Sequence, residues 1–269
     1  MTPRGAKIGV VAASELARGR QAYAENAWGQ AYESLTCGDR EQTLSAQDLE
    51  LLARAAYMLG RDEEYAHSLE RAYHAYLDAG DIAAAACCTW WIGHGQLFRG
   101  EPAPARGWFA RGQRLLERAG DCVARGYLAI PVVFEHSSPG ATTPPRTAGA
   151  VEIAEIAERF ADPDLVTMAM MEQASALLRL GRRDEGLRLV DETMVAVSAG
   201  ELSPIVAGIV YCNTIAFCRR PLRAAGGARV DFCTKRVVCA AAGDACSSRR
   251  LSRASCGAND ARWSVAGCT

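Results

Sequence analysis

An all-α fold of helical hairpins stacked into a right-handed solenoid is predicted by three features of the sequence. Apolar residues recur at helical period, with no convincing strand alternation. One arrangement of small, glycine and bulky positions returns about every forty residues. Helix-starting and helix-stopping residues bracket the stretches between those positions, giving about eleven helices. A single hairpin cannot bury both its faces, so at least about three must stack.

Taken in order, residues 1–13 form an N-terminal leader whose apolar run, Gly9 to Ala13, is five residues long. That is too short for a signal peptide's core or a membrane span, and it predicts a cytoplasmic chain with reduced thiols. The helical-repeat domain is expected over residues 14–217. Its first copy lies around "GRQAYAENAWGQAYESL", with Gly19 as the small residue, Asn26 at the turn, and Ala31 and Leu35 on the second helix. Ser45 and Asp48 then form a capping box.

Three later segments superimpose: "LLARAAYMLGRDEEYAHSLERAY" (Leu51 to Tyr73), "WIGHGQLFRGEPAPARGWFARGQ" (Trp91 to Gln113) and "MEQASALLRLGRRDEGLRLVDET" (Met171 to Thr193). Gly60, Gly100 and Gly181 take the turn, because glycine accepts the left-handed conformation that ends a helix. Charged residues or Pro open the second helix. Ala53, Gly93 and Ala174, seven residues before each turn, allow close approach, and Leu69, Phe109 and Val190, nine after it, fill the seam. Asp81 opens an Ala-rich helix, Asp162 with Pro163 starts the helix of Leu165 to Leu180, and Ser203 with Pro204 starts the last one.

These small, Gly, aromatic, Ala and bulky positions resemble tetratricopeptide repeats stretched toward forty residues. More specifically, "ELARGRQAYAENAWGQAYESL", "LGRDEEYAHSLERAYHAYLDAGD" and "AVSAGELSPIVAGIVYC" resemble the repeat region of actinobacterial LuxR-type transcriptional regulators, over roughly Ser14 to Phe217. In that family the repeats lead to a C-terminal helix-turn-helix that binds DNA. The resemblance implies a protein- or effector-binding module from a truncated regulator that has lost its DNA-binding end.

Two stretches depart from the pattern. "HSSPGATTPPRTAGA" (His136 to Ala150) places Pro, Thr and Gly where one helix should end and another begin, and the helical pattern resumes at "VEIAEIAERF". Little length is inserted, so substitution, as by translation one base out of frame, explains the window better than a loop insertion. From Cys218 to Thr269 the chain carries ten Arg or Lys against three Asp, an excess near +7, while the preceding residues stand near −8. This tail holds no Glu, Gln, Ile, Met, Tyr or His. It reads as a disordered basic, Cys/Arg-rich segment with the vocabulary of GC-rich codons out of register. Its six cysteines, at irregular spacing without histidine, do not form a zinc framework. The excess positive charge would attract phosphate non-specifically, which leaves a DNA-binding regulator using this tail as the alternative function.

No catalytic motif is present: no phosphate-cradling G-x-x-x-x-G-K-[ST], no H-E-x-x-H, no G-x-S-x-G. The four histidines are dispersed. Cys37, Cys87, Cys88, Cys122 and Cys212 mostly lie in helical patterns as small apolar residues. The expectation is a non-enzymatic protein without cofactor or metal. Its binding groove would be lined from the first helix of each hairpin by Arg20, Tyr23, Arg54, Tyr57, Trp90 and His94. An Arg and aromatic stripe suits an extended peptide or acidic segment of a protein partner, or a small effector. Nucleic acid is not expected without a helix-turn-helix, nor is a membrane. The apolar face of "PIVAGIVYCNTIAF", left without its mate, favours self-association.

Overall fold

The computed structural model describes the backbone of residues 3–135 and 146–224, and the side chains of residues 14–132 and 149–217. Among the described residues the chain is all-helical, with eleven helices and no strand. Most of the irregular window and nearly all of the basic tail lie outside them.

The described residues divide into two compact units that meet in sequence at Ala124 and Arg125. The first holds α1 (Pro3–Ala24), α2 (Trp28–Glu41), α3 (Ala46–Met58), α4 (Asp62–Asp78), α5 (Ile82–Phe98) and α6 (Pro102–Leu116). Helices α1 and α2, α3 and α4, and α5 and α6 pair as hairpins, and α2 with α3 and α4 with α5 join one hairpin to the next. The second unit holds α7 (Ala124–Glu135), α8 (Arg146–Arg159), α9 (Pro163–Arg179), α10 (Arg183–Ser198) and α11 (Pro204–Ala224), with α9 packed against α8, α10 and α11.

Three boundaries differ from the sequence reading. Helix α1 begins at Pro3, within the stretch expected as a leader; α8 begins at Arg146 rather than at Val151; and α11 runs past Phe217 to Ala224. Each helix extends a strong apolar-periodic core into neighbouring residues of weaker propensity, as elongation costs less than nucleation.

The turns form as their residues dictate. Gly60 (φ +71°) and Gly181 (φ +78°) are left-handed, and Arg61 N–H reaches back to the Ala56 carbonyl at 2.9 Å, as Arg182 N–H does to that of Leu177 at 3.0 Å. Two turns do the same without glycine, at Asn26 (φ +57°) and Ala161 (φ +50°). The following helices are capped as expected. The side chains of Ser45, Asp81, Asp162 and Ser203 accept from the backbone N–H of Asp48, Ala84, Leu165 and Val206.

The hairpin seams use the small and bulky positions of the repeat. Ala53 and Ala174 are fully buried, and Leu69 and Val190 nearly so. A Cβ on Gly19 would stand 2.8 Å from Leu35 Cγ, and one on Gly93 would stand 2.5 Å from Phe109 Cε1. In the second unit Gly126 of α7 is equally close to Leu165. Burying side chains of this size at about 25 cal/mol per Å² is what holds each hairpin together. No helix among the described residues is long and apolar enough to cross a membrane.

Candidate functional site

The six predicted groove residues all lie on the first helices of the first unit's hairpins, and the structure gives them different fates. Arg20 on α1 makes a two-pronged ion pair with Asp48 on α3, Nε to Oδ1 at 2.7 Å and a terminal nitrogen to Oδ2 at 2.8 Å. The Asp48 side chain is 3 % exposed and that of Arg20 is 55 % exposed. Ser45 Oγ also donates to Asp48 Oδ2 at 2.7 Å. These bonds, from Arg20 first, hold the Asp48 carboxyl below the usual carboxylate range, and the same partner raises Arg20. Arg20 therefore already has its carboxylate within the fold, and it ties the first hairpin to the second.

Arg54 on α3 sits 3.4 Å from Glu50 one turn earlier and keeps 37 % of its side chain in solvent. Tyr23 is half-buried, edge-on to Trp28 with ring centroids 5.3 Å apart. Tyr57, also half-buried, tilts against Tyr65 at 5.1 Å.

Trp90 and His94 on α5 are interior residues, which corrects their assignment to an accessible groove. Trp90 is 3 % exposed and stacks on Phe109 of α6 at 5.7 Å. His94 is 8 % exposed, with its ring 4.6 Å from Phe98 and 5.3 Å from Trp90. Desolvation lowers its pKa to about 4, so it is neutral at physiological pH and offers no charge to an acidic ligand.

The surface position on α5 belongs to the next residue, Trp91, which sequence reasoning missed. Trp91 is half-buried and packs, with Tyr57, against the cluster of Ala53, Ala56, Tyr65, Leu69 and Ile92. The Tyr65 hydroxyl donates to the Trp91 carbonyl at 3.2 Å, which fixes the backbone beneath the indole. Tyr65 reaches that point because Gly95 leaves room: a Cβ there would stand 3.0 Å from Tyr65 Cε1. Tyr23 borders the adjoining cluster of Ala22, Ala31 and Ala55, and Tyr32 packs against both clusters. Tyr23, Arg54, Tyr57 and Trp91 thus come from three successive first helices and remain partly open to solvent.

The Cys88 thiol, a candidate nucleophile, lies 3.7 Å from Glu50 Oε1. Burial, followed by the Glu50 charge, pushes that thiol up, away from the thiolate that a nucleophile needs. Tyr76 is likewise pushed up by burial and then by Glu50. Among the described residues no group of His, Cys, Asp or Glu is gathered to hold a metal ion. The described cysteines are free thiols; Cys88 and Cys122 are buried, Cys37 and Cys87 half-buried, and Cys212 is exposed.

No protein-family model matches the chain, and no curated protein matches it.

Proposed function

We propose that this chain is a non-enzymatic helical-repeat module that binds an extended acidic peptide of a protein partner through the Tyr23, Arg54, Tyr57 and Trp91 surface. The observation that carries this reading is the arrangement just described: three consecutive first helices each leave an aromatic ring half-open, and on the middle one Arg54 keeps part of its side chain in solvent. Half-buried Tyr and Trp offer large contact area at low entropic cost, and the guanidinium of Arg54, whose side chain is 37 % exposed, can present a fork to a carboxylate.

The resemblance of the repeats to those of LuxR-type regulators supports reading this module as a cytoplasmic sensor or scaffold segment of the kind that precedes DNA-binding helices. Its output would then be partner or effector recognition, with promoter contact made elsewhere. An array of extended peptides, half acidic and half with the acids replaced by amides, tests the reading when probed with the full chain. Retention on the acidic members that drops about tenfold with Arg54→Ala supports it. Equal retention on both halves refutes it.

A further inference from the structure

We infer that the second-helix face of the first unit, formed by α4 and α6, docks a second copy of this chain. Most described arginines of the unit are already paired. Arg18, Arg20, Arg54, Arg61, Arg71 and Arg99 each meet a carboxylate of Glu15, Asp48, Glu50, Glu64, Asp39 or Glu101. Apart from Arg40, the arginines with no ion pair among the described residues are Arg106, Arg111, Arg114 and Arg118, and all four are exposed on α6 or in the turn that ends it. Helical spacing sets Arg114 and Arg118 opposite the buried Ala105, Phe109, Gly112 and Leu116 and places Arg106 and Arg111 on either flank, with small Ala103, Gly107 and Ala110 between them.

Helix α4 has the reverse character. Glu63 and Asp78 are exposed and Glu70 half-buried, none of them in an ion pair among the described residues, on the side away from Tyr65, Leu69, Ala72 and Tyr76. The two helices run in the same general direction, since each connects to α5 through a tight turn that reverses the chain. Their side chains touch where Tyr73 of α4 stands edge-on to Trp108 of α6 at 5.5 Å, and the Arg111 guanidinium lies 4.9 Å from the Trp108 ring centre. One surface therefore carries an acidic ridge, an aromatic floor and a basic ridge.

That surface complements itself. A two-fold axis parallel to the helices, between two facing copies, sets each acidic ridge against the partner's basic ridge in one isologous contact. A uniformly anionic partner such as a nucleic acid fits worse, because reaching the arginines brings its phosphates against Glu63, Glu70 and Asp78. Since exposed ion pairs orient more than they hold, the dimer is weak, with a dissociation constant on the order of 10 to 100 µM.

Sedimentation equilibrium of the full chain tests this. Association at low salt should weaken by about tenfold or more as ionic strength rises from about 0.02 M to about 0.5 M. The triple variant Arg106→Glu, Arg114→Glu, Arg118→Glu and the triple variant Glu63→Lys, Glu70→Lys, Asp78→Lys should each be monomeric with unchanged circular dichroism. Their equimolar mixture should form a heterodimer, which separates charge complementarity from damage to the fold. A monomeric wild type at about 100 µM and low salt overturns the inference. So does a dimer indifferent to either triple variant, a mixture that stays monomeric, or a duplex DNA probe retained through Arg106, Arg114 and Arg118.

Discussion

Gly93 of α5 lies so close to the Phe109 ring of α6 that a Cβ on Gly93 would stand 2.5, 2.8 and 2.9 Å from three of its carbons. Phe109 is 8 % exposed and stacked on Trp90, so the ring has no free direction in which to retreat. Gly93→Ala should therefore destabilise the chain by about 1 to 3 kcal/mol, although alanine is the better helix former. Adding Phe109→Leu should recover part of the loss, and urea melts of the two single variants and the double variant measure the coupling.

Ala161 presents the opposite case. It holds a left-handed backbone, φ +50°, at the turn between α8 and α9, where its Cβ is strained. Ala161→Gly should raise stability by roughly 0.5 to 1 kcal/mol, against the usual effect of adding glycine. A raised urea midpoint at unchanged slope is the expected result.

Acid should weaken the first unit in two separate windows. His94 has its pKa lowered from 6.5 to about 4 by desolvation, so its buried neutral form adds stability that is complete above pH 6.5 and lost as pH falls toward 4. At about 1.4 kcal/mol per pH unit the loss is roughly 3 kcal/mol. The Asp48 carboxyl, held down by Arg20, adds stability present above its ordinary value of 3.8 and lost below it, as pH falls through the lowered pKa. His94→Leu should flatten the upper window in urea melts taken across pH and leave the lower one in place.

Deleting residues 218–269 should leave the binding of acidic peptides unchanged. The full chain should give no sequence-specific shift of promoter-length duplex DNA in a gel, since excess charge alone attracts phosphate without reading bases. A specific shift abolished by the deletion would favour the alternative of a DNA-binding regulator.

The hairpins were legible in the sequence because their signals are local. Gly60 and Gly181 mark turns by backbone conformation, and Gly93 with Phe109 mark a seam by size alone, at fixed distance from the turn. The surface was legible only where helical period gives a direction. On α3 it does, and Arg54 and Tyr57 remain partly exposed. Helix α5, "IAAAACCTWWIGHGQLF", carries apolar residues on every side, so nothing in its pattern separates Trp90 from Trp91. Their fates depend on Phe109 of α6 taking one and Tyr65 of α4 bracing the other. The pairing of Arg20 with Asp48 was equally hidden, because it joins residues of different hairpins through tertiary packing.

Isothermal titration of the full chain with the tightest acidic peptide from the array tests the central claim most directly, when wild type is compared with Trp91→Ala, Tyr57→Ala and His94→Leu. Losses of about tenfold or more for the first two, with affinity unchanged for His94→Leu, are the predicted result. Affinity indifferent to Trp91 and Tyr57 would contradict it.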